Sequence, residues 1–118
     1  MINKELIELQ RSCKATCVVI QNEDSNELDS KVVINSNLSD EELMNVLRSN
    51  KEELSYLVIT KIDEINADAQ DKFYHIVKDR EFRGYKLPED IIIVLTVKNN
   101  ENLKNIKQEL HNFCVVAF

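Results

Sequence analysis

The chain has 118 residues, 43% of them hydrophobic and 31% charged, with a single glycine and a single proline; that length supports one layered core, and that composition excludes low-complexity disorder and fibrous repeats. A formal net charge of −6, with Lys and Arg scattered among acids, argues against direct nucleic-acid binding, whose affinity comes largely from neutralised phosphates. No apolar run approaches the ~20 residues of a membrane span and the first residues lack the apolar middle of a signal peptide, so a cytoplasmic location is expected.

Residues 3 to 12 predict a helix with Asn3 as N-cap, Ile2 and Ile7 as a hydrophobic staple, and Leu6, Leu9 and Cys13 on its buried face. Ala15 to Ile20 is a nearly continuous apolar run rich in β-branched residues and reads as a first strand covered on both faces. The polar, acidic stretch Gln21 to Ser30 has no apolar period and reads as a loop or a single turn. A second strand is predicted at Lys31 to Asn35. Ser39-Asp40-Glu41-Glu42 matches a capping box with Leu38 and Leu43 as its staple, opening a helix that runs to about Arg48.

Tyr56 to Thr60 is the third predicted strand. Asp68 is then expected to cap a helix with Phe73, Ile76 and Val77 on its apolar face, ending near Gly84. Pro88 stands in a polar turn before a strand at Ile91 to Val97. A last helix at about Glu101 to Leu110 and a fifth strand at Phe113 to Phe118 complete the chain. This α-β-β-α-β-α-β-α-β order, with strands buried on both sides, predicts a mainly parallel sheet between helical layers in a single domain spanning residues 1–118.

Cys13, Cys17 and Cys114 are an odd count beside apolar segments and read as reduced, partly buried thiols. His111 and Cys114, three residues apart, are too few for a metal site, so no metal is expected. His75 reads as a surface residue of the long helix.

Ligands of open parallel sheets bind outside the carboxyl ends of the strands. Asp63 and Glu64 follow such a strand end in the general form of a Walker B motif, whose Asp helps hold Mg²⁺ and whose Glu orients the attacking water. The plain structural reading of the pair is a solvated turn. The stretch IDEINADAQDKFYHIVKDREFRGYKLPEDIIIVLT, about 35 residues, resembles the AAA+ ATPase core, most closely its MoxR-like and dynein-like branch. Asp63, Glu64, Ile65, Asn66, Gln70, Arg80, Phe82, Gly84, Lys86, Leu87 and Pro88 carry the resemblance, in the family's order. It implies a P-loop-NTPase-like, three-layer α-β-α sandwich with a five-stranded, mainly parallel sheet and the first strand near its centre.

The chain departs from that family where catalysis needs it most. A phosphate loop requires GxxxxGK[ST] after the first strand, so that backbone amides enclose the phosphates while Lys and Ser/Thr meet the γ-phosphate and Mg²⁺. Gln21 to Glu27 has neither Gly nor Lys there and carries Glu23, Asp24 and Glu27. Asn99 or Asn100 stands near the family's sensor 1 position, where a gapless reading places Lys98. Asn112 stands where an Arg would reach a neighbouring subunit's nucleotide, and no helical lid follows.

The resemblance therefore implies a degenerate, non-catalytic binding or regulatory protein with no cofactor of its own and no ATPase activity in isolation. Its expected partner is a protein, either an AAA+ ATPase or a second copy. ATP and Mg²⁺ would enter only under the alternative, a nucleotide-binding subunit completed by a partner chain. Thr60-Lys61-Ile62-Asp63 also resembles the guanine-reading element of GTPases, but a phosphate loop and a DxxG are both missing. Arg80, Phe82, Arg83 and Tyr85 gather two guanidinium groups and two aromatic rings in a short turn, the residue types most enriched at interface hot spots, and mark the expected contact surface, a turn reaching to Glu89.

Overall fold

The computed structural model describes residues 2–13, 17–49, 55–88 and 90–117, with side chains for all of these except 11–13. Its strands are β1 (Cys17–Gln21), β2 (Lys31–Asn35), β3 (Tyr56–Thr60), β4 (Glu81–Phe82), β5 (Tyr85–Lys86), β6 (Ile92–Val97) and β7 (Cys114–Val116). Its α-helices are α1 (Lys4–Cys13), α2 (Asp40–Ser49), α3 (Ala67–Asp79) and α4 (Gln108–His111). Short 3-10 stretches occupy Asn22–Glu27, Ile62–Glu64 and Asn100–Asn105. The expected strand start at Ala15 and Thr16, the Cys13 side chain, Glu89 and the last residue Phe118 lie outside the described residues.

Five strands form one sheet in the order β2-β3-β6-β1-β7, all parallel. Val18 lies in register with Val94 and Val115, and Val58 with Val33 and Val94. Because side chains alternate along a strand, the apolar runs divide between two cores. On one face Val19, Leu57, Ile59, Ile93 and Leu95 pack beneath Leu43 and Leu47 of α2, Phe73, Ile76 and Val77 of α3, and Leu110 of α4. On the other, Val18, Ile20, Val58, Ile92 and Val94 meet Ile2, Ile7 and Leu28. The result is an α/β fold, a five-stranded parallel sheet with helices on both faces.

Local chemistry accounts for several boundaries. Asn3 Oδ1 accepts from Leu6 N–H at 3.0 Å to start α1, and the staple residues Ile2 and Ile7 are both buried. Leu9, expected on the buried face of α1, is 54% exposed; Ile7 and Gln10 are the residues turned inward. Ser39 starts α2 as expected: its Oγ accepts from Glu42 N–H at 3.2 Å and donates to Glu42 Oε1 at 3.0 Å.

Three expectations are corrected. The cap of α3 is Asn66, whose Oδ1 accepts from Ala69 N–H at 2.8 Å, and not Asp68. Helix α3 also ends at Asp79, with Arg80 as a left-handed cap (φ 54°), rather than near Gly84. The chain then makes the small antiparallel hairpin β4-β5, whose turn residues Arg83 (φ 49°) and Gly84 (φ 84°) are both left-handed, as a two-residue type I′ turn requires. Finally, the helix expected at 101–110 is two pieces interrupted at Ile106 and Lys107. The break has a cause in the long helix: the buried Gln70 donates to Asn105 O at 2.8 Å and accepts from Lys107 N–H at 2.6 Å, taking backbone groups that a continuous helix would pair internally.

Among the described residues no helix is long and apolar enough to cross a membrane.

Candidate functional site

Strand order sets where the loops of a parallel sheet part to leave a crevice. From β1 the chain crosses to β2 at the far edge along the α1 face, while β2, β3 and β6 follow one another through α2 and α3 on the opposite face. The connections leaving β1 and β6, which are neighbours, therefore diverge, and the carboxyl ends of these two strands form the switch point at which open α/β sheets take their ligands.

That crevice is cross-tied by its own side chains. Thr96, wholly buried on β6, donates from Oγ1 to Asn22 Oδ1 at 2.5 Å and accepts from Lys61 N–H at 3.0 Å. Lys61 holds a left-handed conformation (φ 59°), and its carbonyl accepts from Ser36 Oγ and from Glu64 N–H, both at 3.0 Å. A strained non-glycine backbone persists only where its surroundings over-determine it; here bonds on both sides of the residue do so.

The stretch that would cradle phosphates is a 3-10 turn, Asn22–Glu27, running into Leu28 beneath the sheet. A phosphate loop needs a strand, a glycine-rich turn and then a helix whose first N–H groups face the anion. Here Ser25 Oγ donates to Asn22 O at 3.0 Å, Leu28 N–H to Ser25 O at 3.1 Å and Lys31 Nζ to Ser25 O at 2.6 Å. The turn is closed on itself and on the start of β2, with Glu23 and Asp24 at its head.

The Walker B-like pair splits. Glu64 is exposed, whereas Asp63 is buried, so the reading of both as a solvated turn fails for Asp63. Asp63 Oδ2 accepts from Asn102 Nδ2 at 2.6 Å and from Lys98 N–H at 3.2 Å, tying the turn after β3 to the loop after β6. Its Oδ1 has no hydrogen-bond partner among the described residues and is the one atom through which this carboxylate could take a cation. Among the described residues no group of three His, Cys, Asp or Glu side chains that could hold a metal ion is found.

The sensor-like asparagines also differ in use. Asn99 caps the 3-10 stretch after β6, its Oδ1 accepting from Asn102 N–H at 3.2 Å, and Asn100 is exposed. The asparagine that reaches Asp63 is Asn102. Sequence reading passed over Asn102, Asn22 and Thr96; of these only Thr96, a hydroxyl inside an otherwise apolar run, carried a signal that a buried polar group was being placed for a partner.

The four turn residues are not brought together on one surface. Arg80 Nη2 donates to Pro88 O at 3.1 Å and to Ile91 O at 2.5 Å, and burial lowers its pKa from the ordinary value. Phe82 is buried in the larger core and Tyr85 is partly buried against it. Arg83 is exposed, pairs with Asp40 Oδ2 of α2 at 2.7 Å, and lies 5.6 Å from the centre of the Phe82 ring.

Beside this turn a cavity of about 390 Å³ opens at the carboxyl ends of β2 and β3, lined by Ser36, Asn37, Asp40, Asp68 and Lys72 among others. Its one lysine is engaged, bonding Leu38 O at 2.9 Å and Asp40 Oδ1 at 3.1 Å. Models of known protein families match no part of this chain, and a search of curated proteins finds no match.

Proposed function

We propose that this chain is a non-catalytic binding or regulatory module built on an AAA+-like core and acting through protein contacts. One observation carries the reading. Where nucleotide phosphates would be held, β1 runs into an acidic 3-10 turn that is bonded to itself and pinned through Asn22 to Thr96. Phosphates brought there would meet an acidic turn with Glu23 exposed at its head and neither glycine nor lysine within it, and the turn runs into Leu28 and β2, not into an α-helix whose dipole would oppose their charge. The AAA+ likeness is supported by the parallel sheet with β1 inside it, between β6 and β7, and by Asp63 standing after β3. Asp63 Oδ2 is engaged by Lys98 N–H and Asn102 Nδ2, so this oxygen serves as a brace for the loops.

Thermal unfolding with ATP, ADP and GTP, each with Mg²⁺, tests this. A ligand at about 100 times its Kd adds ~2.7 kcal/mol to stability, a shift that is easily seen. No shift is expected with any of the three. A saturable shift with ATP and Mg²⁺ that Asp63→Asn removes would replace this reading with the nucleotide-binding subunit, and one confined to GTP would favour the guanine-reading resemblance.

A further inference from the structure

Among the described residues outside the switch-point loops, two thiols stand in contact. Cys17 on β1 and Cys114 on β7 are register partners on adjacent parallel strands, and their Sγ atoms stand 2.7 Å apart. Both pack into the core beneath α4. We propose that Cys17 and Cys114 form an oxidisable dithiol that hydrogen peroxide closes into a disulfide, stapling the edge strand β7 to β1.

The geometry asks for little movement. Neighbouring strands run about 4.7–4.9 Å apart, and disulfides bridge Cα atoms about 4.4–6.8 Å apart, so residues in direct register across this pair already lie within range. The two side chains project to the same face. Each thiol also has a carbonyl in reach, Leu110 O at 3.2 Å from Cys114 and Phe113 O at 3.7 Å from Cys17, and closure gives up only such weak thiol bonds, the one between the two sulfurs included.

The two sulfurs differ in access, which sets the order of events. Cys17 is wholly buried, and burial, with the neighbouring Cys114, raises its pKa well above that of a free thiol. Cys114 is partly exposed and opens β7, one of the two edge strands. A small oxidant therefore meets Cys114 first. Its thiolate attacks one peroxide oxygen, the O–O bond breaks, and the released hydroxide takes up the proton the thiol gave, leaving a sulfenic acid and one water. The Cys17 sulfur then attacks the Cys114 sulfur; the S–O bond breaks, the hydroxide leaves with the Cys17 proton as a second water, and the S–S bond forms. Two thiols are oxidised by two electrons and one peroxide is reduced to two waters.

The consequence is mechanical. Strand β7 has three residues and a single neighbour, β1, so it is the strand most easily lost from the sheet. A disulfide between residues 97 apart in sequence would forbid that loss and constrain the unfolded chain.

The test treats the full chain, wild type and Cys13→Ser, with hydrogen peroxide, traps remaining thiols by alkylation after unfolding, and maps the peptides by mass spectrometry. The expected result is loss of two hydrogens from each protein, a Cys17–Cys114 cross-linked peptide, and a Tm rise of roughly 5–10 °C that a reductant reverses. Cys114→Ser should show neither the cross-link nor the rise. Oxidation of Cys114 to sulfinic acid with Cys17 still alkylatable would overturn the proposal. So would bridging through Cys13 alone, or two unreacted thiols at millimolar peroxide.

Discussion

The two faces of the sheet are built by different means. Beneath α2, α3 and α4 the core holds Leu43, Leu47, Phe73, Ile76, Val77 and Leu110 from regular helices, and the loops are pinned by the buried Gln70 and Asp63 and the half-buried Arg80. On the other face one helix, α1, and the irregular crossover through Leu28 cover the strands, and Val33 of the edge strand β2 is left 49% exposed. The crossover is where a phosphate-binding chain would carry its loop and helix. The two faces thus differ in how they are closed: one by three helices with polar ties between its loops, the other by one helix and a 3-10 turn whose Asn22 and Ser25 carbonyls are bonded within the turn and to Lys31.

If that contrast is right, truncations should rank by face. Phe73→Ala empties a wholly buried ring from the three-helix side and should cost about 3–5 kcal/mol. Leu28→Ala, in the irregular crossover of the one-helix side, should cost less, nearer the ~2 kcal/mol at the low end for such truncations, and Val33→Ala should stay within about 0.5 kcal/mol. Urea unfolding measures all three. Equal losses for Leu28→Ala and Phe73→Ala would show the crossover to be as rigidly packed as the helices, and the contrast would be lost.

The next effect concerns buried polar groups. Gln70→Ala removes the partners of Ile65 O, Asn105 O and Lys107 N–H together. Leaving buried donors or acceptors unmet costs ~1–3 kcal/mol, so a loss of about 3 kcal/mol is expected, with faster amide exchange at residues 105–108. A change below 1 kcal/mol would mean that water replaces the amide there. A smaller split is expected at the Walker B-like pair: Asp63→Ala should cost about 1–2 kcal/mol through the orphaned Lys98 N–H and Asn102 amide, and Glu64→Ala within about 0.5 kcal/mol. Equal costs for the two would return Asp63 to the solvent.

Legibility followed the same division. Strands β2 and β3 begin and end where their apolar runs do, and the capping box of α2 was readable because capping is local chemistry. What escaped depends on contacts distant in sequence. The break at Ile106 and Lys107 is imposed by Gln70, 37 residues away from Lys107, and no pattern within 101–110 announces it. Gln70 did stand at the right spacing, three and seven residues before Phe73 and Val77, for a polar group on a buried face. The hairpin β4-β5 was hidden because Arg83, an unusual residue for a left-handed turn position, precedes Gly84. At the site, Asp63 was identifiable from its place after a strand, but its burial comes from the loop after β6, which folds over it through Lys98 and Asn102.

The smallest expected effect is the most useful for function. Of the four turn residues, Arg80 and Phe82 cannot be removed without damage, since one holds two backbone carbonyls and the other fills the core. Arg83 can. Its exposed ion pair with Asp40 is worth at most ~1 kcal/mol and its contact with the Phe82 ring ~0.5–1 kcal/mol. Against these stands the strain of a left-handed arginine, on the order of 1 kcal/mol, in a turn whose preferred sequence is Asn-Gly. The terms nearly cancel, so Arg83→Asn should change stability by less than about 1 kcal/mol, and in an Asp40→Ala background, where the ion pair is already gone, it should stabilise. That makes it a clean probe of the proposed protein contact, because a folded, equally stable variant separates loss of binding from loss of structure. Affinity purification with wild type and Arg83→Asn should then differ in the proteins retained. An identical set would remove this turn from the binding surface and leave Arg83 as a brace between the hairpin and α2.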